Sequence, residues 1–337
     1  MRNYSRGRVL AVLFVQVLTR ETPILTLADS IAHPRLKPCI ILIMTNLSVI
    51  ILSYNTADIT AQCVRSVLAS LDFEKNLKAE IIVWDNNSTD KTIEAIKKIP
   101  DPRIKLVAHK ENLGYTGGNN HAVKQAKGDV LLFLNSDTIA LENAVPSLYS
   151  YFINQKGFQF VGARLLNKDQ SPQASCGRFY TLPIACAALF LKGDSWGASR
   201  WSVRKVQKVD WVSGASFITS KSTYESLGGF DESFFMYWDE IDLLYRARKK
   251  SYACGTFPNA SFIHLEGASS DSRMQPILKV FQGYIFFYQK HYSLLQQILL
   301  KHMLQLKAIV SVTIGILTNN KYLVETYSRA YEITKKN

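Results

Sequence analysis

Four polar or glycine-rich stretches follow one another along the first half of the chain, each directly behind an apolar run. They are Ser53-Tyr54-Asn55, Asp85-Asn86-Asn87-Ser88-Thr89-Asp90, Asn112-Leu113-Gly114-Tyr115-Thr116-Gly117-Gly118-Asn119-Asn120 and Asn135-Ser136-Asp137-Thr138. Asn, Asp and Gly are the ordinary turn formers, so any one of these endings alone reads as a turn. Four in succession point to a ligand site, because parallel sheets bind ligands at the carboxyl ends of their strands. The glycine run is neither the GxGxxG of dinucleotide binding nor the GxxxxGK(S/T) of a P-loop. It follows the third apolar run rather than the first and holds no lysine for a phosphate, which disfavours a dehydrogenase or an NTPase. Its glycines suit a backbone that approaches a flat base or ribose ahead of a helix start. Farther on, Tyr237-Trp238-Asp239-Glu240-Ile241-Asp242 gathers three carboxylates beside two aromatic rings. Acids at a helix start complement its dipole, which accounts for Asp239 or Asp242 singly but not for the cluster.

The elements that position these groups are legible as an alternation. Leu47–Ser53, Ala79–Asp85, Ile104–Ala108 and Asp129–Asn135 are short branched-aliphatic runs and predict strands. Between them, Thr56–Leu71 carries apolar residues at helical spacing, Ser88–Ile99 opens on the capping residues Ser88, Thr89 and Asp90, and Gly117–Ala126 follows the glycine run. Strands alternating with helices predict an α/β fold with a doubly wound, mostly parallel sheet. The middle is less regular and ends in a predicted strand over Val209–Thr219. A helix over Asp239–Lys250 and strands near Tyr252–Phe257 and Ser261–His264 follow, and the chain is helical from about Met274.

With 337 residues, 47% of them apolar and 20% charged, the chain has the composition of a folded protein. A net charge of +13 favours an anionic partner. Nucleic acid is disfavoured, because no single element interleaves basic and aromatic residues. Cys39, Cys63, Cys176, Cys186 and Cys254 are scattered without CxxC spacing. They read as buried free thiols in a reducing compartment, not as a zinc site or disulfide framework. Residues 1–43 differ from the rest. Val9–Leu18 is an apolar run among Arg2, Arg6, Arg8 and Arg20, like a signal-peptide core and too short to span a bilayer. The preferred reading is an upstream extension, with the native start at Met44 leading straight into the first strand.

Together SVIILSYN, VWDNNSTDKT, ENLGYTGGNN, GDVLLFLNSDT, WVSGASFI, GGFDESFFMYWDEIDL and FIHLEGASS resemble the family 2 glycosyltransferases, in particular the rhamnosyltransferase-like branch that builds bacterial surface polysaccharides. The resemblance runs from Leu47 to Tyr292. It implies a GT-A fold with a catalytic domain over 44–272, split into a donor half (44–138) and an acceptor half (139–272), and a helical basic region over 273–337. The implied reaction is inverting transfer of a sugar from a dTDP- or UDP-sugar to a saccharide or lipid-linked acceptor. The alternatives are a nucleotidyltransferase and a catalytically inactive assembly protein of the same fold.

On that resemblance, Ser53, Tyr54, Asn55, Asp85, Asn87, Asn112, Gly117 and Gly118 form the donor pocket. Asp85 suits the imide N–H of a pyrimidine. Asn135 and Asp137 stand where the family carries its DxD or NxD element. Asp137, with His264, would hold Mg²⁺ or Mn²⁺ to neutralise the leaving diphosphate. Glu240 takes the general-base position, with Asp239 a competitor because the pair stands in reversed order. Trp211, Gly214, Tyr237 and Trp238 line the acceptor side, where the rings would stack on sugars. From Arg273 onward the chain holds nine basic and two acidic residues among apolar stretches, the longest, Ala308–Leu317, too short to span. That pattern implies helices lying on an anionic membrane, on the cytoplasmic face.

Overall fold

The computed structural model describes residues 46–234, 237–265 and 274–336, with side chains from Ile277 onward in the last segment. The extension over 1–43, the start at Met44, Phe235, Met236 and the end of the FIHLEGASS motif beyond Leu265 lie outside the described residues. The first half alternates β1 (Leu47–Ser53), α1 (Ala57–Leu71), β2 (Ala79–Asp85), α2 (Thr92–Lys97), β3 (Ile104–Ala108), α3 (Gly114–Lys124) and β4 (Val130–Asn135). These strands pair in parallel in the order β3-β2-β1-β4. Their near-continuous aliphatic character follows from burial on both faces. The register sets Ser53 beside Asp85 and Leu52 beside Asn135, so the polar strand ends open at one edge.

The second half adds β5 (Thr138–Ala140), α4 (Ala144–Asn154), β6 (Phe160–Leu166), β7 (Ala174–Gly177), α5 (Leu182–Phe190), β8 (Arg200–Ser202), β9 (Lys208–Val209), β10 (Trp211–Val212), β11 (Ser216–Ser220), α6 (Lys221–Ser226), α7 (Asp239–Lys249) and β12 (Cys254–His264). β11 runs antiparallel beside β4, with Ser216 opposite Leu134, so the turn ahead of it delivers Gly214 to the ligand edge. β5 pairs antiparallel with the end of β12, Thr138 opposite His264. That pairing carries a histidine from the far end of the chain to the Asn135-Ser136-Asp137 turn.

Four expectations are corrected in detail. The strand expected over Val209–Thr219 is three pieces with different partners: β9 on β12, β10 on β7, and β11 between β4 and β6. The two strands expected around Pro258 are one, β12, whose register on β6 shifts between Phe257 and Ser261. Pro258 falls in that gap and has no N–H for the ladder. α2 begins at Thr92 rather than Ser88, because Asp90 bridges two elements instead of capping one. Its carboxylate accepts the Ala57 N–H at 3.0 Å and the Thr92 N–H at 2.9 Å. α3 begins at Gly114 and takes in the glycine run; a Cβ on Gly118 would collide with Leu52 and abut Trp84.

The chain closes with α8 (Met274–His291), α9 (Leu294–Leu317) and α10 (Lys321–Lys336). Two apolar cores flank the sheet. Phe281, Tyr284, Phe287 and Tyr288 of α8 and Leu300 and Leu304 of α9 belong to the core that also holds Trp211, Trp238 and Leu243. The apolar stretches expected to be kept apart by Lys301 and Lys307 are one 24-residue helix, α9, long and apolar enough by composition to cross a bilayer.

Candidate active site

At the first polar edge Asp85 is fully buried. Its Oδ2 accepts the Ser88 N–H at 3.0 Å, while Oδ1 has no partner among the described residues. A buried acceptor without a donor is costly, and this one is free to accept a hydrogen bond from a bound molecule. Ser53 lies in a buried hydroxyl cluster with Thr60 (2.8 Å) and Thr56 (3.2 Å). Asn55, at φ 52° and exposed, accepts the Thr89 N–H at 2.7 Å through Oδ1 and so shapes the loop. Asn87 is likewise left-handed, at φ 68°. Asn112 is similarly engaged, its Oδ1 accepting from Asn86 Nδ2 at 2.7 Å and the Gly114 N–H at 2.9 Å. Gly117 and Gly118 are buried inside α3, where their smallness lets the helix settle onto the sheet. Tyr54, Asn55, Asn87 and Asn112 are all exposed at this rim.

The second cluster is Asn135, Asp137 and His264. His264 Nε2 stands 3.3 Å from Asp137 Oδ1 and 3.3 Å from Asn135 Nδ2, and Asn135 Oδ1 is buried without a partner. A carboxylate and an imidazole nitrogen 3.3 Å apart, beside an amide whose oxygen has no partner among the described residues, are groups that fit a divalent cation of the Mg²⁺ or Mn²⁺ kind. No group of three or more His, Cys, Asp or Glu stands together among the described residues, so this chain would supply only part of a coordination shell. The rest would come from water and the ligand's own oxygens.

The third cluster sits where α7 begins. Tyr237 and Trp238 are both left-handed at φ 68°, a strained entry of the kind found at functional sites. Asp239 is buried, and burial followed by the neighbouring Glu240 charge pushes its carboxyl well above the usual range. Burial raises Glu240 too, against the pull of the Gly214 N–H and the Arg200 charge. Two carboxyls this close share one proton more readily than they ionise together. Trp211 and Trp238 are not open to a sugar. Trp211 donates from Nε1 to the Arg178 carbonyl at 2.8 Å, and Trp238 packs against Tyr180, Tyr284, Phe287 and the bare face of Gly283. Of the three aromatic candidates only Tyr237 is exposed.

Residues 48–241 match the family described as "Glycosyl transferase family 2". The chain belongs to that family. This family 2 glycosyltransferase is similar to a low-salt glycan biosynthesis hexosyltransferase of Haloferax volcanii, 28% identical over 55% of this chain and 59% of the relative. It is similar also to the N-acetylglucosaminyl-diphospho-decaprenol L-rhamnosyltransferase of Mycobacterium tuberculosis, 25% identical over 60% of this chain and 72% of that one. The match thus spans under two thirds of the first relative's length. In three dimensions it resembles a mannosyltransferase of Pyrobaculum calidifontis in complex with GDP-Man and Mn²⁺, with a TM-score of 0.53, 17% identity, and 86% and 85% of the two chains covered. A second likeness is to GalNAc-T7 with UDP, GalNAc and Mn²⁺, with a TM-score of 0.51, 16% identity, and 73% and 50% covered. The fold is GT-A.

Sequence reasoning about this glycosyltransferase missed two residues. Tyr115 donates its hydroxyl to the Gly214 carbonyl at 3.0 Å, on the same peptide segment whose N–H reaches Glu240. Arg200 supplies the positive charge facing the acid pair. Tyr115 was in view inside the glycine run, but nothing local signals its partner 99 residues on. A groove of about 940 Å³, lined by Phe73, Asn76 and Tyr149 among others, lies beside the amino ends of β1 and β2, away from all three clusters.

Proposed function

We propose that this family 2 glycosyltransferase moves a sugar from a nucleoside-diphosphate donor to an acceptor hydroxyl with inversion, in the synthesis of a surface polysaccharide or glycan. The observation that carries the reading is the meeting, at one sheet edge, of an unpartnered buried carboxylate oxygen (Asp85), a cation donor set (Asn135, Asp137, His264) and an acid pair of raised proton affinity, one member buried (Asp239) and one half-buried (Glu240). Asp85 Oδ1 would accept the imide N–H of a uracil or thymine, with Tyr54 against the base. Glu240, steadied by the Gly214 N–H, would take the proton of the acceptor hydroxyl as that oxygen attacks the anomeric carbon. The bond to the diphosphate then breaks on the opposite face. Burial raises the basicity of Glu240 toward the working pH, which is what a general base requires. A bound Mg²⁺ or Mn²⁺ would neutralise charge developing on the leaving diphosphate.

Rhamnose from dTDP-rhamnose is the first donor to test, followed by UDP-sugars. The relatives' names support a lipid-linked acceptor: a diphospho-decaprenol in the mycobacterial enzyme and a diphosphoundecaprenol in a glucosyltransferase of Escherichia coli that is 30% identical over 178 residues, 50% of this chain and 68% of that one. Such an acceptor lives in a membrane, and the apolar outer face of α9 supports docking on the inner face of the cell membrane. The four described cysteines all carry free thiols, in keeping with the cytoplasmic side. The test is a transfer assay over a panel of dTDP-, UDP- and GDP-sugars with and without Mn²⁺. Turnover of one donor, with product of inverted anomeric configuration and loss of activity in chelator, is the expected result. Retained configuration, or full activity in excess chelator, would overturn the mechanism.

A further inference from the structure

A one-way chain of hydrogen bonds ends on His264. It begins at Asp169 in the turn between β6 and β7, whose ionised carboxylate can only accept. Ser171 Oγ donates to Asp169 Oδ1 at 2.6 Å. Its hydrogen thus committed, Ser171 Oγ accepts from Asn167 Nδ2 at 2.9 Å. Asn167 therefore presents Oδ1 to Gln173, and Gln173 Nε2 donates to it at 3.0 Å. The same Nε2 also donates to the His264 carbonyl at 3.3 Å. Both constraints turn the Gln173 amide the same way, so Oε1 is the atom that meets His264 Nδ1 at 2.9 Å. Oε1 can only accept, so in the neutral imidazole the hydrogen is on Nδ1 and Nε2 is left with a bare lone pair. That nitrogen lies 3.3 Å from Asp137 Oδ1 and 3.3 Å from Asn135 Nδ2, whose N–H donates to the lone pair until a cation takes its place.

The chain is held stiffly. Asn167 N–H donates to the Ser171 carbonyl and Gln170 N–H to the Asn167 carbonyl, both at 2.8 Å, and Gln170 sits at φ 64°. Gln173 itself is buried. We propose that Gln173 is a positioning residue that fixes His264 in the Nδ1–H tautomer and so aims a bare Nε2 at the cation, the setting being relayed from Asp169 through Ser171 and Asn167. The proposal rests on the cation reading of Asp137 and His264 given above. A histidine ligand depends on the partner of its other nitrogen for both ring orientation and tautomer.

The experiment uses the full chain and two readouts: Mn²⁺ titration followed by the electron paramagnetic resonance of the free ion, and the ¹⁵N spectrum of the imidazoles at neutral pH. In the wild type His264 is expected as the Nδ1–H tautomer. Gln173→Leu is expected to mix the tautomers and weaken Mn²⁺ binding by about 10–100-fold, the usual cost of losing such a support. Gln173→Glu still accepts from Nδ1 and should keep the tautomer, while its second oxygen, set against Asn167 Oδ1 and the His264 carbonyl, should cost less Mn²⁺ affinity than Gln173→Leu does. Should Gln173→Leu fail to fold, the wild-type and Gln173→Glu measurements still decide. An Nε2–H tautomer in the wild type overturns the proposal. So does Mn²⁺ affinity unchanged in Gln173→Leu but lost in His264→Ala, and that pattern leaves the cation reading standing. Mn²⁺ bound equally well by His264→Ala overturns the cation reading itself, and the proposal with it.

Discussion

His291 Nε2 donates to Asp242 Oδ1 across 2.7 Å, tying the end of α8 to the helix that begins with the acid pair. Asp242 is fully buried and also holds Arg246 Nε at 2.7 Å and Lys290 Nζ at 2.8 Å. Burial would raise its carboxyl, but the His291 hydrogen bond and the Arg246 and Lys290 charges outweigh burial and hold it below the usual range. A depressed carboxyl contributes stability above its unfolded pKa, near 3.9, that is lost as pH falls through the lower folded value. Asp242→Ala should therefore cost about 3–5 kcal/mol at neutral pH, the range for breaking a buried pair. Urea unfolding at pH 7 and again below about pH 4 checks this; the difference between variant and wild type should shrink at the acid end.

The acid pair behaves oppositely. Asp239 is raised, first by burial and then by the Glu240 charge, so the folded chain holds that proton more tightly than the unfolded one. Stability then falls as pH rises from the unfolded value, near 3.9, toward the folded one. Asp239→Asn is expected to raise the melting temperature at pH 7 relative to wild type and to leave it unchanged at pH 4. Equal shifts at both values would mean that the carboxyl is not strained.

Glu240→Gln keeps the shape and removes the base. Transfer should drop by about 10²–10⁴, with donor affinity by calorimetry nearly unchanged. The acid limb of the wild-type pH–rate profile should lie above the ordinary carboxylate range, as burial of Glu240 requires. If Asp239→Asn is the silent-binding, dead variant and Glu240→Gln turns over normally, the base is Asp239.

What was legible and what was not divides along sequence distance. β1 and β2 run over the residues expected because strands buried on both faces write their burial as aliphatic runs, and β3, a half-buried edge strand, does so through Ile104, Leu106 and Val107. Asp85 and Asn135 stood out because a polar residue ending such a run has no packing role. Trp211 and Trp238 were misjudged because their covers come from elsewhere: Tyr180 for both rings, and Tyr284 and Phe287 of α8 for Trp238. The helix was expected to start at Gly117 rather than Gly114, since glycine is a poor helix former. Packing of Gly118 on Leu52 and Trp84 overrides that preference. Asp242 passed for a dipole complement because Lys290 and His291 lie more than forty residues on.

Tyr115→Phe removes the hydroxyl that holds the Gly214 carbonyl. The carbonyl left without its donor should cost about 1–3 kcal/mol of stability. The Gly214 N–H near Glu240 lies on the preceding peptide, joined to that carbonyl's peptide through the Gly214 Cα, so loosening the carbonyl loosens the N–H, and kcat is expected to fall while the KM for the donor stays. A loss confined to KM would show that Tyr115 touches the donor instead.

The last prediction concerns α9. Its inner stripe, Leu300, Leu304, Ala308, Ser311 and Gly315, is buried, and a Cβ on Gly315 would press on Leu323 and Val324 of α10. Its outer side leaves Leu295, Ile298, Leu299, Ile309 and Val310 exposed. No acid occurs from Met274 to Val324, while Lys279, Lys290, Lys301, Lys307 and Lys321 do. Twenty-four residues reach about 36 Å as a helix, enough for the hydrocarbon layer of about 30 Å. A spanning pose, however, would pull Leu300 and Leu304 out of the core they share with Trp238 and carry Lys301 and Lys307 into lipid. An interfacial pose keeps the core intact and sets the lysines against anionic headgroups, each contributing about 1 kcal/mol. Flotation with vesicles of mixed phosphatidylcholine and phosphatidylglycerol tests it. Binding is expected at low salt, should weaken as salt rises, and should be lost in the triple variant Leu295→Glu, Ile298→Glu, Ile309→Glu with melting temperature unchanged. Lys301→Gln with Lys307→Gln should weaken binding only to the anionic vesicles. Protein that stays unbound at low salt removes the membrane from the proposal, and protein that resists extraction by high salt and alkaline carbonate would make α9 a span after all.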